Sequence, residues 1–174
     1  MKKIVLVGAG GHCRSVIDVI EQEGKYQIVG LIDLKEKIGQ EVLGYKIIAS
    51  DQDLDLVIKS HQNFCITVGQ IKSSKVRAEL FEKILSLGGH FPTIVSPHAY
   101  VSQHASIGAG TVIMHHALIN AGSKIGKNCI INSKALCEHD TIVEDHCHIS
   151  TGAILNGDCK VQAHSFVGSN TVLK

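Results

Sequence analysis

At 174 residues, with 44% hydrophobic and 19% charged, the chain has enough apolar side chain for a packed core and too little charge for disorder. Lys and Arg (17) balance Asp and Glu (16), aromatics are only 4% and Trp is absent, so neither a phosphate-binding basic surface nor a base-stacking platform for nucleic acid is expected. No apolar run approaches the ~20 residues of a membrane span, Met1-Lys2-Lys3 meets Gly8 too soon for a signal-peptide core, and the six Cys lack C-x-x-C spacing; a cytoplasmic chain with reduced thiols and no membrane partner follows.

Residues 1–95 read as one α/β domain. Residues 3–7 (Lys-Ile-Val-Leu-Val) make a buried strand that ends in Gly8-Ala9-Gly10-Gly11. Val16, Ile17, Val19 and Ile20 then give helical spacing as far as Gly24. Residues 27–32 are a second strand, closed by Asp33, and 45–48 a third. Ser50-Asp51 starts a helix over 54–59, and 64–68 form a strand ending at Gly69. A helix over 72–87 puts Val76, Leu80, Ile84 and Leu87 on one face and stops at Gly88-Gly89; 91–95 is the last strand. Strands alternating with helices through short connections predict a Rossmann-like parallel sheet with helices on its faces. Ligands of such sheets bind at the carboxyl ends of strands, which places Gly8 to His12, Asp33 and Gly69 on one rim. Gly8 and Gly10 supply two glycines of G-x-G-x-x-G, but Cys13 takes the third place. Glycine amides at a helix start suit phosphates, so a nucleotide fits this rim, with a nicotinamide cofactor left open beside other kinds.

Residues 96–174 form a second domain in which a period of six takes over. Every sixth residue from Val95 to Leu173 is apolar, and the residue four places after each, from Ala99 to Thr171, is small. No helix or hairpin sheet has that period. A parallel β-coil with three short faces does, completing a turn in 18 residues. Gly108, Gly126 and Gly168 follow apolar positions and suit tight turns there. Cys129, Cys147 and Cys159 fall in the small register and Cys137 in the apolar one, as packing residues. His98, His104, His116, His146 and His164 share an outward place three after the apolar residue, and pairs 18 apart should stack. No carboxylate pattern accompanies them, so no metal is expected. His139 differs: Asp140 follows it, and its neighbours one coil away, Ala121 and Gly157, are small enough to leave room for a substrate. Acyl transfer to an amine or hydroxyl requires removal of the attacking group's proton, which suits an imidazole near neutral pH. A carboxylate on the far ring nitrogen, Asp140 or Glu138, would orient it.

The hexad run resembles the left-handed β-helix of the hexapeptide-repeat acyltransferases. With the opening Val7-Gly8-Ala9-Gly10-Gly11-His12, the strand-end Asp33, the strand ending at Gly69 and Glu138-His139-Asp140, nearly the whole chain resembles sugar acetyltransferases of the sialic acid O-acetyltransferase and bacillosamine N-acetyltransferase type. That resemblance implies a homotrimer with active sites between neighbouring coils and acetyl-CoA as co-substrate, without a metal. It implies a nucleotide-linked sugar acceptor held by Gly10, Gly11, His12, Asp33, Gly69 and Asn132. It makes His139 the general base, supported by Asp140 where the family commonly has Glu, and puts His148 and Gly157 on acetyl-CoA. The expected reaction is N-acetylation of a UDP-linked 4-amino sugar in surface glycan or glycoprotein biosynthesis. The alternatives are O-acetylation of a sialic-acid-like sugar, or a non-catalytic sugar-nucleotide-binding accessory protein, because resembling chains continue past residue 174 with further hexads and a cap.

Overall fold

The structure, a computed structural model, describes residues 1–174. Its contacts divide it into two units, Met1–Gly69 with Val76–Pro92, and Gln70–Lys75 with Thr93–Lys174.

The first unit is built on β1 (Lys2–Val7), β2 (Tyr26–Asp33), β3 (Glu41–Val42), β4 (Tyr45–Ser50) and β5 (Phe64–Ile66), in the order β3-β4-β2-β1-β5. All neighbours are parallel except β3, an antiparallel edge ribbon that the sequence reading did not foresee. Helix α1 (Gly11–Glu23) buries Val16, Ile17, Val19 and Ile20, packs on β2, and ends at Gly24, whose φ of 67° lets its amide close onto the Ile20 carbonyl. Short α2 (Leu54–Ser60) follows β4, and α3 (Lys75–Ser86) follows β5. The core on one sheet face joins Val5, Val7, Ile32, Phe64 and Ile66 to Phe81, Ile84 and Phe91.

Two expectations need correction here. The face of α3 turned inward carries Arg77, Phe81 and Ile84, while Val76 is 55% exposed. Arg77 is buried because its guanidinium donates to the Ile66 and Val68 carbonyls at 3.0 and 2.6 Å, serving the frayed end of β5. The expected strand over 91–95 shrinks to Ile94–Val95, and that pair hydrogen-bonds to Val112–Ile113 of the coil rather than to the first sheet.

The second unit is a parallel β-helix of two-residue strands, from Ile94–Val95 to Val172–Leu173, stacked into three sheets. Ile107, Ile125, Val143 and Val161 pair in one column, as the hexad register requires. Apolar and small positions together fill the interior, and all six cysteines of the chain are buried and unpaired. The left-handed backbone does not fall at Gly108, Gly126 or Gly168. It falls two residues later, at Gly110, His116, Gly122, Asn128, Lys134, Asp140, His146, Gly152, Asp158, His164 and Asn170, each with φ between 51° and 77°. Asn, Asp and His tolerate that region best after glycine, which explains much of the histidine row. Those rows stack as expected, His98 on His116 at 5.8 Å and His146 on His164 at 5.0 Å. His146 is nevertheless buried, because Gln70–Lys75 lies over it: the Gln70 amide donates to the His146 carbonyl at 2.9 Å, and Ser74 Oγ meets His164 Nδ1 at 2.9 Å.

Ile131, fully buried in the coil, should cost about 2–5 kcal/mol when cut to Ala. The exposed Lys124→Ala should stay within about 0.5 kcal/mol. Denaturant unfolding followed by far-UV circular dichroism checks both.

Candidate active site

His139 sits in the turn after the strand Leu136–Cys137, and Asp140 occupies the left-handed corner at φ 61°. That corner turns the carboxylate back onto its neighbour, so Asp140 Oδ2 accepts from His139 Nδ1 at 2.9 Å. The Nε2 atom has no protein partner and faces Gly157 one coil on; a Cβ at 157 would lie 2.7 Å from Nε2 and 2.6 Å from Cε1. On the opposite side a Cβ at Gly122 would collide with the Asp140 carboxylate. Two glycines therefore clear the space that the pair occupies. Both side chains are about 60% exposed, at 59% and 60%. The hydrogen bond donated to Asp140 raises the His139 pKa above its ordinary 6.5, desolvation opposes it, and the charges of Asp140, Asp158 and Glu138 add to the rise.

Glu138 does not reach the imidazole. It accepts from Asn120 Nδ2 at 2.8 Å, while Ser123 and Thr141 hydroxyls donate to its carbonyl at 2.8 and 2.6 Å and pin the turn. Asp140 alone supports His139.

His148 and Asn132 form a separate pair in a different sheet of the coil. Asn132 Oδ1 accepts from the Ser133 amide, so its Nδ2 must be what donates to His148 Nε2 at 3.1 Å. The proton of His148 is then on Nδ1 and goes to the Gln70 carbonyl at 2.6 Å. His148 is buried, edge-on to Phe166. The structure thus brings His139, Asp140 and Gly157 together, and His148 with Asn132, but not the two groups within one coil face.

On the first unit, Gly8 has φ 108°, and a Cβ there would fall 2.6 Å from Val68. The next glycines, Gly10 and Gly11, stand in open space at the start of α1, which no side chain caps. Half-buried His12 lies next to Gly69. Asp33 takes three donors: Oδ2 accepts from the Ala9 amide at 2.6 Å, and Oδ1 from the Leu34 amide at 2.7 Å and Lys37 Nζ at 2.9 Å. Burial opposes its charge, but those three donors outweigh it and hold the carboxyl below the usual range. Gly8, Gly10, Asp33 and Gly69 border a cleft of about 230 Å³ that Lys37, Asp51, Val76 and Leu80 also line, while Gly11 and His12 lie outside its lining. No motif marks Lys37 or Asp51 as a cleft residue, Asp51 reading in the sequence only as a helix start. The sequence reading passed over Gly122 and Asn120, although each stands 18 residues before its partner and the coil period alone points to them.

Fold and site together define a hexapeptide-coil transferase with an α/β unit in front. The family model of the PglD N-terminal domain matches residues 3–84, and that of the bacterial transferase hexapeptide (six repeats) matches 104–139. The acetyltransferase domain of PglB from Neisseria gonorrhoeae FA1090, solved in complex with acetyl coenzyme A, superposes with a TM-score of 0.90 at 30% identity, covering 98% of this chain and 81% of that one. Perosamine N-acetyltransferase from Caulobacter crescentus, in complex with CoA and GDP-perosamine, gives 0.84 at 21% identity over 100% and 89%. WeeI from Acinetobacter baumannii AYE gives 0.67 at 19% identity over 99% and 94%. The last two identities are low enough that these likenesses speak to the fold. No curated protein matches the chain. The chain belongs to the hexapeptide-repeat, left-handed β-helix sugar acetyltransferases that carry a PglD-type N-terminal domain.

Gly157→Ala tests the clearance around His139. The obstructed atoms belong to an exposed side chain, so the thermal midpoint should hold while the ring swings away. Acetyl transfer should fall on the order of 10²-fold, since misplacing a catalytic group by ~1 Å costs that much.

Proposed function

We propose that the protein acetylates the amine of a nucleotide-linked amino sugar, a UDP-linked 4-amino sugar being the expected acceptor, with acetyl-CoA as donor and His139 as general base. One observation carries the reading: an imidazole whose Nδ1 is held by Asp140 and whose Nε2 is open beside a glycine. The acceptor ammonium first gives one proton to water; the neutral nitrogen then attacks the thioester carbonyl, the C–N bond forms, and a second proton passes from nitrogen to His139 Nε2. Collapse of the tetrahedral adduct breaks the C–S bond, and the proton leaves with the CoA thiolate. Asp140 orients the ring and stabilises the imidazolium. Glu138, Asp140 and Asp158 make the surroundings of His139 negative, which draws in a cationic amine better than a neutral hydroxyl and favours N- over O-acetylation.

The nucleotide is assigned to the first unit, with Gly10, Gly11, His12 and Gly69 lining its place and Asp33 holding the loop. Gly157 is assigned to the donor side. The dyad and the His148–Asn132 pair follow different sheets of the coil, so a neighbouring chain is what brings them to one site, and we assign the assembly as a homotrimer. Light scattering should give three chain masses; a monomer at assay concentration contradicts the shared site. Bound CoA species in the Neisseria and Caulobacter structures support the choice of donor. A cytoplasmic place for the reaction, within surface glycan or glycoprotein biosynthesis, completes the reading.

The test is thiol release with acetyl-CoA against UDP-, GDP- and CMP-linked sugars. His139→Ala should lower turnover about 10²–10⁴-fold, and exposed His116→Ala should leave it unchanged. The base works only when neutral, so activity rises as pH passes upward through the His139 pKa. Because Asp140 raises that pKa, the acid limb of wild type should lie above 6.5 and move to lower pH in Asp140→Asn. Absence of both turnover and acetyl-CoA binding by calorimetry would turn the protein into a sugar-nucleotide-binding accessory.

A further inference from the structure

The rim of the first unit holds two aspartates with opposite standing. Asp33 ends β2 and takes three donors from its own chain, which leaves one lone-pair site, on Oδ2, for a ligand. Asp51 follows β4, lines the same cleft, is half-buried, and its carboxylate has no hydrogen-bond or ion-pair partner. Burial, and then the charge of Asp33, push its carboxyl up, with Lys83 opposing. A charged acceptor in such surroundings is stabilised by donors that the chain itself does not supply.

The strand order places each group along the rim. The glycine turn follows β1, Asp33 ends the next strand, and Asp51 follows the strand after that. Strands are ~4.8 Å apart, so Asp51 is about twice as far from the glycine turn as Asp33 is. A nucleoside diphosphate with its phosphates on the Gly10 and Gly11 amides has its ribose one step away and its base two. Leu34 and Val76, both 50% exposed or more, and half-buried Leu80 line the cleft and offer apolar contacts to a flat ring.

We infer that Asp51 reads the nucleobase: its carboxylate accepts the imino N–H of uracil or guanine and rejects cytosine and adenine, which present a bare ring nitrogen at that place. The inference rests on the nucleotide reading above and narrows it to UDP- or GDP-linked sugars, against CMP-linked ones. A carboxylate facing a ring nitrogen places two acceptors together and leaves both without a proton, and this mismatch is what discriminates.

Calorimetry with UDP, GDP, CDP and ADP on the full chain tests it, because selectivity in wild type is read without any variant. UDP and GDP should bind about 10–100-fold tighter than CDP and ADP. Asp51→Asn, checked for folding by circular dichroism, should close that gap, since an amide can donate as well as accept. Equal binding of all four by wild type, or a gap that survives in Asp51→Asn, overturns the role of Asp51 and leaves the nucleotide site standing. A cost of removing the ribose hydroxyls, read as 2′,3′-dideoxy-UDP against UDP, that is present in wild type and vanishes in Asp51→Ala would move the carboxylate to the ribose and also overturn it. Failure of every nucleotide to bind would remove the nucleotide site itself.

Discussion

Coil-on-coil stacking governs the second unit. Backbone amides of each coil donate to carbonyls of the next, as Ile130 does to Cys147 and Leu136 to Ala153, at 2.9 and 2.8 Å. The chain is drawn so close that a Cβ at Gly108 would lie 2.5 Å from the backbone of Gly126. Every side chain therefore meets the residue 18 before it and the residue 18 after it. The arrangement requires a left-handed residue at regular corners, costing roughly 1–2 kcal/mol wherever it is not glycine. Burying an Ile, Leu or Val contributes about 1.5–3 kcal/mol each, and every coil buries several, so the interior outweighs its corners. Asn, Asp and His at those corners reduce the cost further.

That regularity decides what could be read beforehand. Inward columns, stacked histidines and the neighbours of His139 are all consequences of the period, and the sequence carries them openly. The corner position was harder to see, since Gly108, Gly126 and Gly168 look like turn residues and are in fact places of close approach. Helix α3 misled for a different reason. Its apolar spacing marks Val76 and Leu80, but Arg77 goes inward because carbonyls at the end of β5 need donors, and the apolar pair lines a cleft instead. Hydropathy periodicity cannot register a demand made by another element's backbone. Gln70–Lys75 shows the same limit: a polar connection reads as a loop, and only the hydrogen bonds to His146, His148 and His164 reveal that it covers the coil.

Asp33 shows how a motif can be right in place and different in use. Its position after a strand matches that of an acid that would bind a ribose, yet the tight turn at Gly8 brings the Ala9 amide within 2.6 Å. A charge-assisted bond of that length, joined by Lys37, fixes the loop. Asp33 then shapes the turn on which Gly10 and Gly11 stand.

The proposed catalytic pair makes the complementary point about exposure. His139 and Asp140 have the separation of a working dyad, held by two glycines and a pinned turn, but water reaches more than half of each side chain. An ion pair so exposed contributes little, because solvent screens it and its side chains give up entropy to stay aligned. Geometry here is therefore supplied by the coil, and electrostatics is not. Covering the pair, with substrate or with the wall of a second chain, excludes water and strengthens the attraction between the imidazolium and Asp140 as the proton arrives. The proposed base would then be weak in the free coil and effective once covered, which would confine the chemistry to the moment when donor and acceptor are both in place.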